Sequence, residues 1–329
     1  MKRIFLLGLA LALSACGQSE SRAQESKPEE SKLEKSRAQE HTRLIAQDAE
    51  LATDGSRLDG RPKGIKVKNF QVFNQGISCN GVLEQGGALL CKTFPNARVK
   101  VGGIKTLADK DGLVIIGFDR DAPRQEKLSV TLEDGVKLSD ISLNIAPRKY
   151  SISRIDGLPP SQVSTFSDAQ LKRIRDSSAR KKKGFASREK VLWFRDGFTY
   201  PLKEFTKTSP FGAQRILNGV KKKPHYGVDI AAPGGTPIYA PAKGVISLAD
   251  DNLYFEGAMV LIDHGQGLIS MYLHMSAIDV TSGQIVKRGE KIGAVGSTGR
   301  STGPHLCWRL KWRNRHLDPE LLTKWPSDG

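Results

Sequence analysis

Short apolar runs broken every few residues by glycine or proline fill the C-terminal part of the chain, and this punctuation limits the fold more than any other feature. The segments "PIYAPAKGVISLA", "AMVLIDHG", "GLISMYLHMS" and "QIVKRGEKIGAVG" recur across residues 191–325. Each holds a strand-length run of Val, Ile, Leu and Ala bounded by turn formers, which predicts an antiparallel β fold. Residues 65–150 show the same habit on a smaller scale. There, apolar runs alternate with turn signals such as Pro95-Asn96, Asp111-Gly112 and Asp134-Gly135, the spacing of a small β-sandwich, immunoglobulin-like in character. The chain is therefore expected to be mainly β, with a β-sandwich-like domain followed by a larger antiparallel domain.

Between these two units, residues 151–190 read as a helical connector. Ser167 and Gln170 form a candidate capping box ahead of Leu171 and Ile174, and the basic run Arg180 to Lys183 closes the helix as solvated surface. The charged stretch "GFDRDAPRQEKLSV" reads as a solvated turn. Residues 16–64 are rich in Ser, Glu, Lys, Arg and Gln, and repeat Ser-Arg-Ala-Gln-Glu at 21–25 and 36–40, which suits a disordered or transiently helical tether.

The site candidates come from side-chain alternation. In a strand, residues i and i+2 share a face, so in "GPHLCWRLKW" His305, Cys307 and Arg309 lie on one side and Leu306, Trp308 and Leu310 on the other. His225 and Asp229, in "KKKPHYGVDIAAPGG", fall on a loop and the start of a strand. A catalytic zinc takes three protein ligands from His, Asp/Glu or Cys and keeps a further position open, and His225, Asp229 and Cys307 meet that count.

These segments, with His274 in "MYLHMS" between them, resemble the lysostaphin/LytM-type zinc metallopeptidases, whose pattern is HxxxD followed by HxH. The resemblance covers residues 191–329 and implies a groove-bearing β-sheet with a zinc ion on its floor. It implies hydrolysis of peptide cross-links in peptidoglycan during cell-wall remodelling. It assigns zinc to His225, Asp229 and, by position, Cys307, which stands where the family has histidine. By the same resemblance His274 and His305 flank the reacting water, one helping to deprotonate it and the other stabilising the oxyanion or protonating the leaving amine. "TGPHL" after "GSTGRS" and Arg215 in "SPFGAQR" also match the family, whereas Ala258 stands where Asn is expected.

The cysteine leaves two readings open. A thiolate is a good zinc ligand, so the metal site survives the exchange. Alternatively the site is degenerate, and the domain is a catalytically inactive activator of cell-wall amidases. His264 in "LIDHGQG" reads as a structural turn residue and His316 as solvated surface. Two rivals are weaker. The hairpins "APAKGVIS" and "VKRGEKIG" resemble biotinyl and lipoyl carrier domains but lack a modifiable lysine in its motif, and a basic binding protein without catalysis would need none of the site residues.

Compartment is written at the N-terminus. Lys2 and Arg3 precede an apolar run over residues 4–13, too short to span a bilayer. It ends in Leu13-Ser14-Ala15-Cys16, which resembles a bacterial lipoprotein signal with residues 1–15 removed and Cys16 lipidated. By the same resemblance Gly17 in place of aspartate favours the periplasmic face of the outer membrane; the alternative is an ordinary secretory signal cleaved nearby. In that oxidising compartment Cys79 and Cys91 are candidates for a disulfide, with two buried thiols as the alternative. A net charge of +16 would suit nucleic acid, yet no aromatic-interleaved basic motif accompanies it. The expected partners are anionic peptidoglycan, the outer membrane through its lipid anchor, and amidase or division proteins of the cell wall, with no nucleic acid.

Overall fold

The computed structural model describes residues 71–73, 76–158, 163, 166–195 and 197–325. The signal segment, Cys16 and the tether lie outside them. Eight strands form the first unit: β1 (Gln71–Phe73), β2 (Ile77–Gly81), β3 (Ala88–Lys92), β4 (Arg98–Val101), β5 (Ile104–Leu107), β6 (Leu113–Gly117), β7 (Gln125–Thr131) and β8 (Lys137–Asn144). They pair as two four-stranded antiparallel sheets, β1-β2-β3-β6 and β5-β4-β7-β8. Alternation shows plainly in β4, where Val99 and Val101 are buried while Arg98 and Lys100 face water. A disulfide joins Cys79 in β2 to Cys91 in β3, directly opposite in the register.

The connector holds a strand as well as a helix. Strand β9 (Ile152–Ile155) precedes α1 (Asp168–Phe185), whose N-terminus carries the complete Ser167–Gln170 capping box. Lys182 and Lys183 of the basic run near its end are exposed, as expected, but the two cations before them are engaged. Arg180 pairs with Asp250 at 2.6 Å and Lys181 with Glu256, so these cations fasten the helix to the sheet behind it.

The second unit contains β10 (Thr206–Ser209), β11 (Gln214–Leu217), β12 (Val220–Lys221), β13 (Gly227–Ala231), β14 (Pro237–Tyr239), β15 (Gly244–Leu253), β16 (Gly257–Asp263), β17 (Leu268–Met275), β18 (Ala277–Ile278), β19 (Ile285–Val286), β20 (Lys291–Ala294), β21 (Leu306–Trp312) and β22 (Arg315–Leu317), then α2 (Pro319–Leu322). Its main sheet runs β10-β13-β21-β17-β16-β15-β19, with β22 added to β21. The central strands β16 and β17 are buried along their whole length, as continuous apolar runs require. In β21 Leu306, Trp308, Leu310 and Trp312 are fully buried, which commits the other face to His305, Cys307 and Arg309. Two small sheets flank it, β14-β20-β18 and β12-β11-β9, the latter bringing the connector strand parallel to β11.

The two units share one apolar core and are stitched by buried polar contacts. The stretch expected to be a solvated turn is part of that stitching. Arg120 donates from Nε to Gly212 O at 2.8 Å and lies over the Tyr150 ring at 4.2 Å, so backbone and aromatic partners replace its water. Glu126 accepts from Arg315 Nη1 at 2.8 Å, and the same nitrogen reaches Gly117 O at 2.7 Å. Arg315→Leu would strand the Glu126 carboxylate in the interface, so a loss of about 3 kcal/mol in unfolding free energy is expected from urea titration. A loss under about 1 kcal/mol, the range of exposed pairs, would show the pair is not needed to hold the units together.

Candidate active site

Strands β13 and β21 are neighbours in register, with Asp229 opposite Cys307, and this pairing builds the metal-ligand cluster. His225 sits just before β13, where its backbone N–H donates to Ala213 O at 2.8 Å and fixes the entry of the chain. Its Nε2 lies 3.2 Å from Cys307 Sγ and 3.0 Å from Asp229 Oδ1. Its Nδ1 meets Ser209 Oγ at 3.1 Å, so a proton on Nδ1 leaves Nε2 with its lone pair toward the other two donors. One ligand atom from each of His225, Asp229 and Cys307 lies within 4.8 Å of the others, and all three residues are buried.

The cluster passes a test of fit for a divalent cation. Asp229 Oδ1 is buried and has no hydrogen-bond partner, although His225 Nε2 lies 3.0 Å away. A buried carboxylate oxygen without a donor is costly in a protein interior, and an imidazole lone pair and a sulfur face the same spot. Nitrogen, oxygen and sulfur together suit zinc. The second carboxylate oxygen, Oδ2, is held by Arg215 Nη2 at 2.9 Å, which orients Asp229 for the role.

Electrostatics follow from burial. Burial pushes the His225 imidazole down to about 4 despite Asp229, so the ring is neutral at pH 7. Burial also works to raise the Asp229 carboxyl, but His225 and Arg215 outweigh it and hold the group well below the usual carboxylate range. The Cys307 thiol is pushed up to about 12 by burial, with Arg309 pulling the other way. Sulfur ligates as thiolate, so metal binding is coupled to loss of that proton.

Two more imidazoles stand beside the cluster. His305 Nε2 lies 3.9 Å from Asp229 Oδ1, and the His274 and His305 ring centroids are 4.9 Å apart. Both rings are tied down through Nδ1: His274 to Thr298 O at 2.8 Å, and His305 to Gly303 O at 2.8 Å. Carbonyls only accept, so each Nδ1 carries the proton and each Nε2 is the basic nitrogen. Burial pushes His274 down to about 4.

His274 reaches this position through an irregularity. The β16–β17 register slips between Ala258 and Val260, so Met259 faces both Leu273 and His274, and His274 has φ of +66°. Such bulges re-aim side chains, and the left-handed backbone costs a non-glycine residue of order 1–3 kcal/mol.

The remaining histidines lie elsewhere. His264 is fully buried, donating from Nδ1 to Lys243 O at 2.8 Å and accepting at Nε2 from Ser270 Oγ at 2.7 Å. Burial pushes its pKa down to about 4, below the unfolded value near 6.5, so the unfolded chain binds the extra proton between these values. Stability should therefore fall as pH drops from about 6.5 to 4, by up to about 3 kcal/mol from this group. The check is urea unfolding across that window against His264→Gln, whose smaller slope isolates the contribution; equal slopes would refute it. His316, expected on the solvated surface, instead stacks on Tyr226 with centroids 4.0 Å apart and is half-buried, which pushes its pKa down to about 3. Aromatic coverage outcompetes hydration at that end of β22.

Ser209, Thr298, Ser301 and Gly303 support the site, Ser301 through an Oγ contact of 3.2 Å to His305 Nδ1; all four lie in the segments "SPFGAQR", "GSTGRS" and "TGPHL", but their roles were not readable there, since Thr298 and Gly303 act through backbone carbonyls. Arg309 was visible from strand alternation, although its role was not. Its Nε donates to Cys307 Sγ at 3.2 Å.

An antiparallel sheet with a buried His–Asp–Cys cluster and two adjacent imidazoles defines a metallohydrolase type of centre. Residues 223–319 match the family Peptidase family M23, and the chain contains a domain of that family. The peptidoglycan DD-endopeptidase ShyA of Vibrio cholerae is 42% identical over 121 residues, 36% of this chain and 28% of that protein. The DD-carboxypeptidase/endopeptidase Mpg of Neisseria meningitidis is 41% identical over 133 residues, 40% of this chain and 30% of that protein. The chain thus spans under a third of the length of these curated relatives. A crystal structure from Pseudomonas aeruginosa, described as a candidate M23 peptidase, shares 29% identity with a TM-score of 0.56, over 75% of this chain and 93% of that one. That overlap extends the common fold well beyond residues 223–319.

Proposed function

We propose that the chain is a zinc-dependent endopeptidase that hydrolyses peptide cross-links of peptidoglycan, acting as a lipoprotein on the periplasmic face of the outer membrane. The observation that carries the activity is the convergence of His225 Nε2, Asp229 Oδ1 and Cys307 Sγ beside two imidazoles that keep Nε2 basic. Relatives named as peptidoglycan DD-endopeptidases support the substrate class. The lipoprotein reading rests on the apolar run over residues 4–13 and on Cys16, and the net charge of +16 suits an anionic polymer.

His225, Asp229 and Cys307 would hold the zinc, which when bound supplies Lewis-acid activation of water and of the scissile carbonyl. The protein's own side chains handle the protons. Nε2 of one imidazole takes a proton from the attacking water, and an imidazolium N–H returns one to the leaving amine. Thr298 O and Gly303 O keep both rings in the tautomer this requires. Arg215 keeps the Asp229 carboxylate charged and aimed.

The test is digestion of purified cross-linked peptidoglycan by the zinc-loaded chain, with muropeptides resolved by mass spectrometry. Cross-linked dimers should disappear and new amino termini identify the bond. Intact dimers after treatment with folded, zinc-loaded protein would sink the peptidase reading and point to an amidase activator.

A further inference from the structure

A ligand sulfur differs from a ligand imidazole in charge, because the cysteine binds as an anion and the histidine is neutral. The strand that carries Cys307 also carries a match for that charge. Arg309 follows two residues later on the same face of β21 and donates from Nε to Cys307 Sγ at 3.2 Å. Its placement depends on the neighbouring strand. Gly227 pairs with Arg309 in the β13–β21 register, and a Cβ at 227 would come within 2.5 Å of Arg309 Cγ. Glycine there lets the Arg309 stem cross β13 and bring its guanidinium alongside the ligand cluster.

The second cation of the site is already engaged, since Arg215 holds Asp229 Oδ2 at 2.9 Å. With thiolate at 307, two anions, Asp229 and Cys307, face two guanidinium groups. With imidazole at 307 and Arg309 retained, two guanidinium groups would face a single anion beside an incoming dication.

We propose that Arg309 is a positioning residue that acts as a unit with Cys307, aiming the sulfur at the His225–Asp229 pair and balancing its charge so that Cys307 serves as the third zinc ligand. This rests on the zinc reading above. It gives Cys307 and Arg309 a joint role, so the two positions are coupled rather than independent. Hydrogen bonds to ligand sulfur are part of how a protein tunes a metal, and outer partners of this kind typically change affinity 10–100-fold.

The test compares the full chain with Arg309→Gln, Arg309→Lys, Cys307→His and the double variant Cys307→His/Arg309→Gln. Zinc affinity is read by competition with a chromophoric chelator under reducing conditions, and the sulfur-to-cobalt charge-transfer band is recorded after Co(II) substitution. Arg309→Gln should weaken zinc about 10–100-fold and alter the cobalt band, whereas Arg309→Lys, which keeps the charge, should retain most of the affinity. Cys307→His alone should also bind weakly, and adding Arg309→Gln to it should restore affinity. That reversal of sign is what a merely structural arginine would not give. An unchanged affinity and cobalt band in Arg309→Gln, or a double variant no better than Cys307→His, would overturn the coupling while leaving the zinc reading in place. Failure of the wild-type chain to take up zinc or cobalt would overturn both. Circular dichroism and urea midpoints establish that each variant is folded, and if Arg309→Gln is not, the comparison of Arg309→Lys with Cys307→His decides: equal losses refute the proposal.

Discussion

Asp229→Asn is expected to lose zinc and turnover together while keeping the fold. The carboxylate does two jobs with two oxygens: Oδ1 faces His225 and Cys307, and Oδ2 accepts from Arg215 Nη2 at 2.9 Å. An amide has the same shape but one acceptor and no charge, so it can serve Arg215 or the metal, never both. Removing a ligand must cost more than the 10–100-fold typical of residues that only support ligands, so a fall in zinc affinity above about 100-fold is expected. The fold should tolerate the change, because the neighbours of Asp229 on β13 are Val228 and Ile230, both fully buried on the opposite face. Zinc content after dialysis against a weak chelator, followed by muropeptide analysis, checks both halves. A variant that keeps its zinc would remove Asp229 from the coordination sphere.

Much of this site was legible because strand alternation is a rigid rule. Leu306, Trp308 and Leu310 could only be core residues, and that forced His305, Cys307 and Arg309 onto the opposite face, where the structure has them. The capping box at Ser167 was equally local and equally legible. The misreadings share a cause, which is long-range packing. Arg120 and Glu126 looked like a solvated turn because their partners, Gly212 and Arg315, lie about 90 and about 190 residues away along the chain. His316 was read as exposed because nothing near it in sequence announces Tyr226 as a stacking partner. Strand β9 hid inside a connector that reads as helical, since its pairing with β11 is parallel and needs no local turn.

The position of His274 was the least legible of all, because it depends on a slipped register. Its segment reads as an ordinary strand, and only the pairing of Ala258 with Met275 and Val260 with Tyr272 exposes the extra residue. Arg309 illustrates a different gap. Its face was predicted, but the guanidinium reaches Cys307 only because Gly227 leaves room on the adjacent strand, and that pairing is a property of the folded sheet.

Removing either imidazole beside the cluster is expected to separate chemistry from metal binding. His305→Ala takes away a ring whose Nδ1 is bonded to Gly303 O and whose Nε2 lies 3.9 Å from Asp229 Oδ1, yet it supplies no atom to the ligand cluster. Zinc content should therefore stay at the wild-type level while turnover falls about 10²–10⁴-fold, the usual contribution of a positioned acid or base. For His274 the informative replacement is asparagine. The backbone there has φ of +66°, a conformation asparagine accepts more readily than most residues, so the bulge survives while the imidazole goes. His274→Asn should match His305→Ala in losing turnover and keeping zinc. The double variant should be little worse than either single one, because two groups that pass one proton in sequence fail as a unit. Losses that multiply would instead show that the two rings act on separate steps, and zinc missing from either variant would place that histidine among the ligands.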